Sequence, residues 1–171
     1  MRITFEKTAY KAIAILSLIP VVMILGYILF FEKSGIQLST LLTAIAVGVC
    51  LGFYHVFAQY FHQMGHALVA RASGHPMTGI RYDYVFSYSE YPPKEPKLPA
   101  KVHILRSLGG LGATFLLLAV NSIVWTQMQT NAPVIVQWLL NAFLMYTIFF
   151  TIGGILSDGM FVVQKGWEEK K

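Results

Sequence analysis

The sequence predicts an all-α polytopic membrane protein with about four transmembrane helices and a small β-strand or hairpin element at the membrane surface. Three observations lead there. Of 171 residues, 56% are hydrophobic and only 12% charged, which is too apolar for a soluble domain of this size. Four apolar runs, approximately residues 10–31, 40–73, 103–127 and 134–163, each reach the roughly 20 residues that a helix needs to cross about 30 Å of hydrocarbon. Between the second and third runs the apolar period drops to two, the period of a strand. The chain, 1–171, reads as a single transmembrane domain with no internal repeat.

The first run, YKAIAILSLIPVVMILGYILFF, follows Arg2, Lys7 and Lys11 and is long, with no small-residue cleavage site, so it reads as a retained span rather than a signal peptide. Pro20 is where it would kink. The second run is about 34 residues, or about 51 Å of helix, so its last third must tilt or emerge into a protein-lined cavity. After Gly74, Ile80, Tyr82, Tyr84, Phe86 and Tyr88 alternate with Arg81, Asp83, Val85, Ser87 and Ser89, predicting a strand with one aromatic face. Pro92, Pro93, Pro96 and Pro99 then exclude helix and central strand and predict an extended, mobile loop, so that residues 74–101 form a strand and a Pro-rich loop. The third run opens SLGGLGA, where small residues let helices approach closely; no strand precedes it and no Lys-Ser/Thr follows, so it is not a phosphate-binding loop. The fourth ends in FTIGGILSDGMF, where glycines loosen the helix around Asp158.

The net charge of +5 acts through its placement. With four spans, Arg2, Lys7, Lys11, Arg71, Arg81, Lys94, Lys97, Lys101, Arg106, Lys165, Lys170 and Lys171 fall on one side and only Lys33 on the other. That asymmetry predicts cytosolic termini and a cytosolic 74–101 segment; the membrane expected is a prokaryotic plasma membrane. The basic excess then serves topology and attraction to anionic headgroups, and nucleic acid is not an expected partner. The single Cys50 has no partner for an intramolecular disulfide and fixes no redox compartment.

Chemistry concentrates in FHQMGHALVARASGHP, residues 61–76. His62 and His66 are four apart, so on a helix both imidazoles can reach one metal. Such a pair alone is weak evidence, since two histidines held by neighbouring helices look the same. Asp158 weighs against that reading, because an ionisable group at membrane depth is costly and calls for a partner. His62 and His66 lie 22 and 26 residues beyond residue 40, and Asp158 lies 24 beyond residue 134, on a span running the same way. The three arrive at similar depth, and two imidazoles with one carboxylate make a zinc site with an open fourth position.

HQMGHALVARASGHP followed about 90 residues later by SDGM resembles the site-2 protease family of intramembrane zinc metalloproteases. In that family a His-Glu-x-x-His motif precedes an Ala-rich helix end, a Gly-x-Pro turn and a strand-like segment, and an Asp-Gly element ends a later span. Ala67, Ala70, Gly74, Pro76 and the strand match, and SLGGLGA is similar to the family's glycine-rich start of the next core span. The resemblance spans roughly residues 40–163. It implies that His62, His66 and Asp158 bind one Zn²⁺, and that the substrate is a membrane-tethered protein cleaved near the cytosolic boundary, with a regulatory membrane partner. Two features depart from the pattern: the family's Asn-x-x-Pro approach to the Asp-Gly element is replaced by FTIGGILSDG, and position 63 is glutamine.

The general base of such a reaction takes a proton from water and hands it to the leaving amine. Glutamine can hydrogen-bond water but cannot accept that proton. Gln63 therefore marks the place of the general base while predicting a disabled catalyst. It is either a Glu-to-Gln replacement that traps an active protease, a reading favoured by the complete ligand set, or the native residue of a pseudoprotease or scaffold subunit that binds without cutting.

Around the site, His55 and Gln59 share the face of His62 and His66 and predict either a polar lining or helix–helix hydrogen bonds. Asn121 reads as interhelical glue, and His75 and His103 as solvated boundary residues. Tyr82, Tyr84, Phe86 and Tyr88 are either interfacial anchors or part of a strand whose edge pairs with an extended substrate segment.

Overall fold

The computed structural model describes residues 1–32 and 37–168. Lys33, Lys170 and Lys171 of the charge asymmetry lie outside them. In chain order the elements are β1 (Arg2–Phe5), α1 (Lys7–Tyr27), a π-helical turn (Ile28–Glu32), α2 (Leu38–Ala72), β2 (Gly79–Asp83), β3 (Phe86–Glu90), α3 (Ala100–Met128), α4 (Val134–Gly154), a second π-helical turn (Ile155–Gly159) and α5 (Met160–Glu168). Four helical stretches are long and apolar enough to cross a membrane: Lys7–Phe31, Leu38–Ala72, Ala100–Met128 and Val134–Gly166. Val22, Phe30, Phe53 and Phe149 stand exposed on their outer faces, as expected of surfaces made to meet lipid.

Helix α2 is central and touches α1, α3 and α4. Small residues make this possible. A Cβ at Gly109 of α3 would lie 2.5 Å from the carbonyl oxygen of Gly65, so these two helices meet backbone to backbone. On the α1 side, a Cβ at Gly48 would lie 2.9 Å from Val21. Ile24, Ile28, Ala44 and Val47 form a buried cluster with Trp138, Leu139 and Ala142 against it, and Ala9, Ala70, Met77, Ile80 and Tyr82 form another where the sheet meets the helices.

Of the expected strand or hairpin element, the structure has the hairpin, and it adds one strand. Residues 2–5 form an unexpected strand, β1, which pairs parallel to β2 with Ile3 opposite Ile80. The 80–88 segment folds back on itself: Asp83 pairs with Phe86 across the two-residue turn Tyr84–Val85, and Tyr84 adopts φ 51°. Reversal couples even residues of β2 with odd residues of β3, Tyr82 with Ser87 and Ile80 with Ser89. The single aromatic face is therefore split. Ile80 and Tyr82 point into the core, Phe86 and Tyr88 point outward, and Ser87 and Ser89 turn inward instead. The order is β1-β2-β3, leaving β3 as an edge.

Helix α1 runs through Pro20, and its irregularity comes later, as the π turn at Ile28–Glu32. The Pro-rich loop has no strand or helix but is anchored, with Leu98 buried and Glu95 held by Arg106.

Candidate metal centre

The period of α2 puts His62 and His66 on its buried face, one turn apart. Asp158 reaches them from the π turn Ile155–Gly159, where a widened helical turn follows Gly153 and Gly154. π turns inside helices recur at functional sites. The result here is a tight triangle: His62 Nε2 to His66 Nε2 is 3.0 Å, and Asp158 Oδ2 lies 3.3 Å from the first and 3.2 Å from the second. One ligand atom from each residue falls within 4.8 Å of the others, close enough to hold a metal ion.

The outer ring nitrogens fix the tautomers. Thr114 donates its hydroxyl proton to the Gly110 carbonyl at 3.0 Å, so its oxygen accepts from His62 Nδ1 at 2.8 Å. His66 Nδ1 lies 2.7 Å from the Arg106 carbonyl oxygen and must donate to it. With both protons on Nδ1, the two Nε2 lone pairs converge on a carboxylate oxygen that is itself buried and accepts no hydrogen bond. Three electron-rich atoms at these separations repel unless a cation, metal or proton, sits among them.

Arg106 ties this end together. Its guanidinium donates to Glu95 at 2.6 and 3.1 Å and to the His75 carbonyl at 2.7 Å, and stacks 4.0 Å over the Tyr91 ring. The Arg106 guanidinium holds the Glu95 carboxyl below its usual range, while burial pushes the Tyr91 phenol up. Tyr82, stacked on Phe5 at 4.4 Å, is pushed up to about 12 by burial, with Tyr60 nearby adding to it.

Gln63 and Gln59 face the hairpin. Gln63 Nε2 donates to the Ser87 carbonyl at 2.9 Å and to Ser87 Oγ at 3.0 Å, and its Oε1 accepts from Ser89 Oγ at 2.6 Å. Gln59 repeats the pattern two residues earlier, donating to the Val85 carbonyl at 2.7 Å and accepting from Ser87 Oγ at 2.6 Å.

A cavity of about 1190 Å³ runs from this cluster between α1 and α4, past His55 and Tyr146 to Ile24 and Trp138. His55 lies 2.7 Å from the Tyr146 hydroxyl, so it both lines the cavity and bonds across helices. Asn121 joins Tyr54 and Thr147, as expected of interhelical glue, and His75 and His103 are half-buried. Of the four aromatic residues considered for substrate contact, Tyr82 belongs to the core and Tyr84 is exposed at the turn, while Phe86 and Tyr88 are exposed on the outer face of the hairpin and border the same cavity as His62, Gln63 and His66. Sequence reasoning counts Arg106 only among the charges that set topology and Ser89 only within the strand alternation, and it does not reach Thr114; the Gly110–Thr114 spacing beside the small-residue run is the one signal that α3 packs against the histidines.

No family model, no curated protein and no solved structure matches the chain.

Proposed function

We propose that this chain is an intramembrane metal centre of the site-2 protease type, with His62, His66 and Asp158 holding one Zn²⁺ and Gln63 at the place of the general base. The observation that carries this reading is the triangle of two Nε2 atoms and one carboxylate oxygen at 3.0–3.3 Å. Zinc–nitrogen bonds of 2.0–2.1 Å in tetrahedral array put ligand atoms about 3.3 Å apart, so the donor set fits with little movement. When bound, zinc would polarise a carbonyl and acidify a water. The chain's own residues do the rest. Thr114 and the Arg106 carbonyl orient the imidazoles. Position 63 faces the cavity beside the ligands. The substrate class is a membrane-tethered protein, the charge asymmetry puts the site near the cytosolic face, and a regulatory membrane partner would select among substrates.

A second reading has its own support. The Gln63 amide donates to the Ser87 carbonyl, a bond that a carboxylate cannot make. A glutamine so accommodated suits a native, non-cutting centre that binds a membrane partner.

Zinc content and cleavage of a single-span membrane protein, measured for this chain and for Gln63→Glu, test both. About one zinc in each, with cleavage raised on the order of 10² to 10⁴ in Gln63→Glu, supports the disabled protease. Zinc in both and cleavage in neither supports the binding centre, and zinc in neither refutes the two together.

A further inference from the structure

In β3 the Glu90 carbonyl accepts from Thr78 on the β2 side, so by strand alternation the carbonyls of Phe86 and Tyr88 also face β2, and those of Val85 and Ser87 face away along the open edge. An open edge is a template for another strand. Here α2 fills it. Gln59 and Gln63 stand one helical turn apart, about 6 Å along the axis, and alternate residues of a strand are about 6.7 Å apart. The two amides therefore meet the Val85 and Ser87 carbonyls in register, as N–H groups of a neighbouring strand would. Ser87 and Ser89 complete the ladder by donating to the two amide oxygens. Both glutamines are buried, at 5% and 3% exposure, so these bonds compete little with water.

We propose that Gln59 and Gln63 form a latch on the outward edge of β3, and that an extended peptide segment pairs with this edge only after displacing it. The latch deepens the proposed function, because it rests on the reading that the cluster beside it receives an extended peptide. One turn of α2 thus carries a metal ligand and a gate to it: His62 and Gln63 are adjacent, and Gln59 lies one turn before Gln63.

The test uses the full chain in lipid nanodiscs and an acetylated eight-residue peptide of alternating threonine and valine bearing one benzophenone. Its twin, N-methylated at alternate residues, lacks the amides that strand pairing needs. Photolabelling of residues 85–90 is read by mass spectrometry, with zinc content measured on the same samples. Gln59→Ala/Gln63→Ala should raise labelling by the unmethylated peptide on the order of tenfold over the parent, as the hydrogen bonds from the two buried side-chain amides no longer have to be broken. Ser87→Ala/Ser89→Ala, which removes only two hydroxyls from a half-buried face, should raise it severalfold and guards against loss of fold in the first variant. The N-methylated twin should show no rise. Equal labelling of the parent and both variants, or an equal rise with the twin, overturns the latch. Labelling that rises in samples that bind no zinc keeps the latch and refutes the metal centre. Zinc binding without any rise does the reverse.

Discussion

Gly110 offers the sharpest test of the metal centre. It lies on α3 one turn before Thr114, and a Cβ built there would collide with the His66 ring at Nε2 and Cε1 and lie 2.8 Å from His62 Cε1. Ordinary carbon contacts need about 3.5–4.0 Å, so both rings would have to retreat by roughly 1 Å. Neither can do so freely. His66 is held through Nδ1 by the Arg106 carbonyl, and His62 by Thr114, whose own proton is committed to Gly110. Moving a ring means losing its orienting bond, and each such loss costs about 10–100-fold in metal affinity. Gly110→Ala should therefore weaken zinc binding by at least about 10-fold, and by up to about 10⁴-fold if both rings are displaced. The same clash should cost the metal-free protein about 1–3 kcal/mol of stability, offset in part by up to about 1 kcal/mol of helix propensity that alanine gains over glycine. Gly112→Ala on the same helix is the control, since nothing lies within 4 Å of its added methyl. Competition against a chromogenic chelator in detergent reads the affinities. Zinc affinity in Gly110→Ala within threefold of the Gly112→Ala control would refute the converging geometry.

Three further outcomes follow from the same contacts. Thr114→Val leaves His62 Nδ1–H without its acceptor and should lower zinc affinity about 10–100-fold by the same competition assay, with Thr114→Ser restoring most of it. Glu95, held by Arg106 below its ordinary value of 4.5, contributes stability that is present above that value and lost as the pH falls toward the lower folded value. Denaturation of the metal-free protein at pH 6 and pH 4 should show a steeper acid loss in the parent than in Glu95→Gln, and equal slopes would contradict the pairing. Gly65→Ala inserts a methyl against the Gly109 backbone and should destabilise by about 1–3 kcal/mol, visible as a lower melting temperature in nanodiscs.

The long apolar helices and the His62–His66–Asp158 triangle were legible because each rests on a local period or a count. Four apolar runs announce themselves by length, and His62 and His66 by their spacing of four. Depth counting then found Asp158, although the two parts of the site are 92 residues apart. The sheet was less legible. β1 is four residues long and pairs with a strand that follows some 77 residues later, so nothing local marks it. The hairpin hid behind an unbroken alternation: Tyr84 takes the positive φ that glycine or asparagine usually signals, and the aromatic period continues across the turn. Parity inverts at a two-residue turn, so the same pattern that implied one aromatic face put the serines against α2. Asp158 likewise reaches the histidines through a π turn, which glycines 153 and 154 permit but do not spell out.

Gln63 draws these strands together, because one functional group there sets two properties. A carboxylate at this position can accept a proton, as a general base must. It cannot donate to the Ser87 carbonyl, which it would instead face across the 2.9 Å that the amide now bridges. Two electron-rich oxygens at that distance, in a residue only 3% exposed, repel strongly enough to loosen the hairpin at that rung. Glutamine does the opposite: it cannot accept that proton, and its amide bonds both the Ser87 carbonyl and the Ser89 hydroxyl. Gln63→Glu should therefore raise photolabelling of residues 85–90 as well as supply the base. If labelling stays at the parent level while cleavage appears, Gln63 is no part of the latch and the two-glutamine proposal fails.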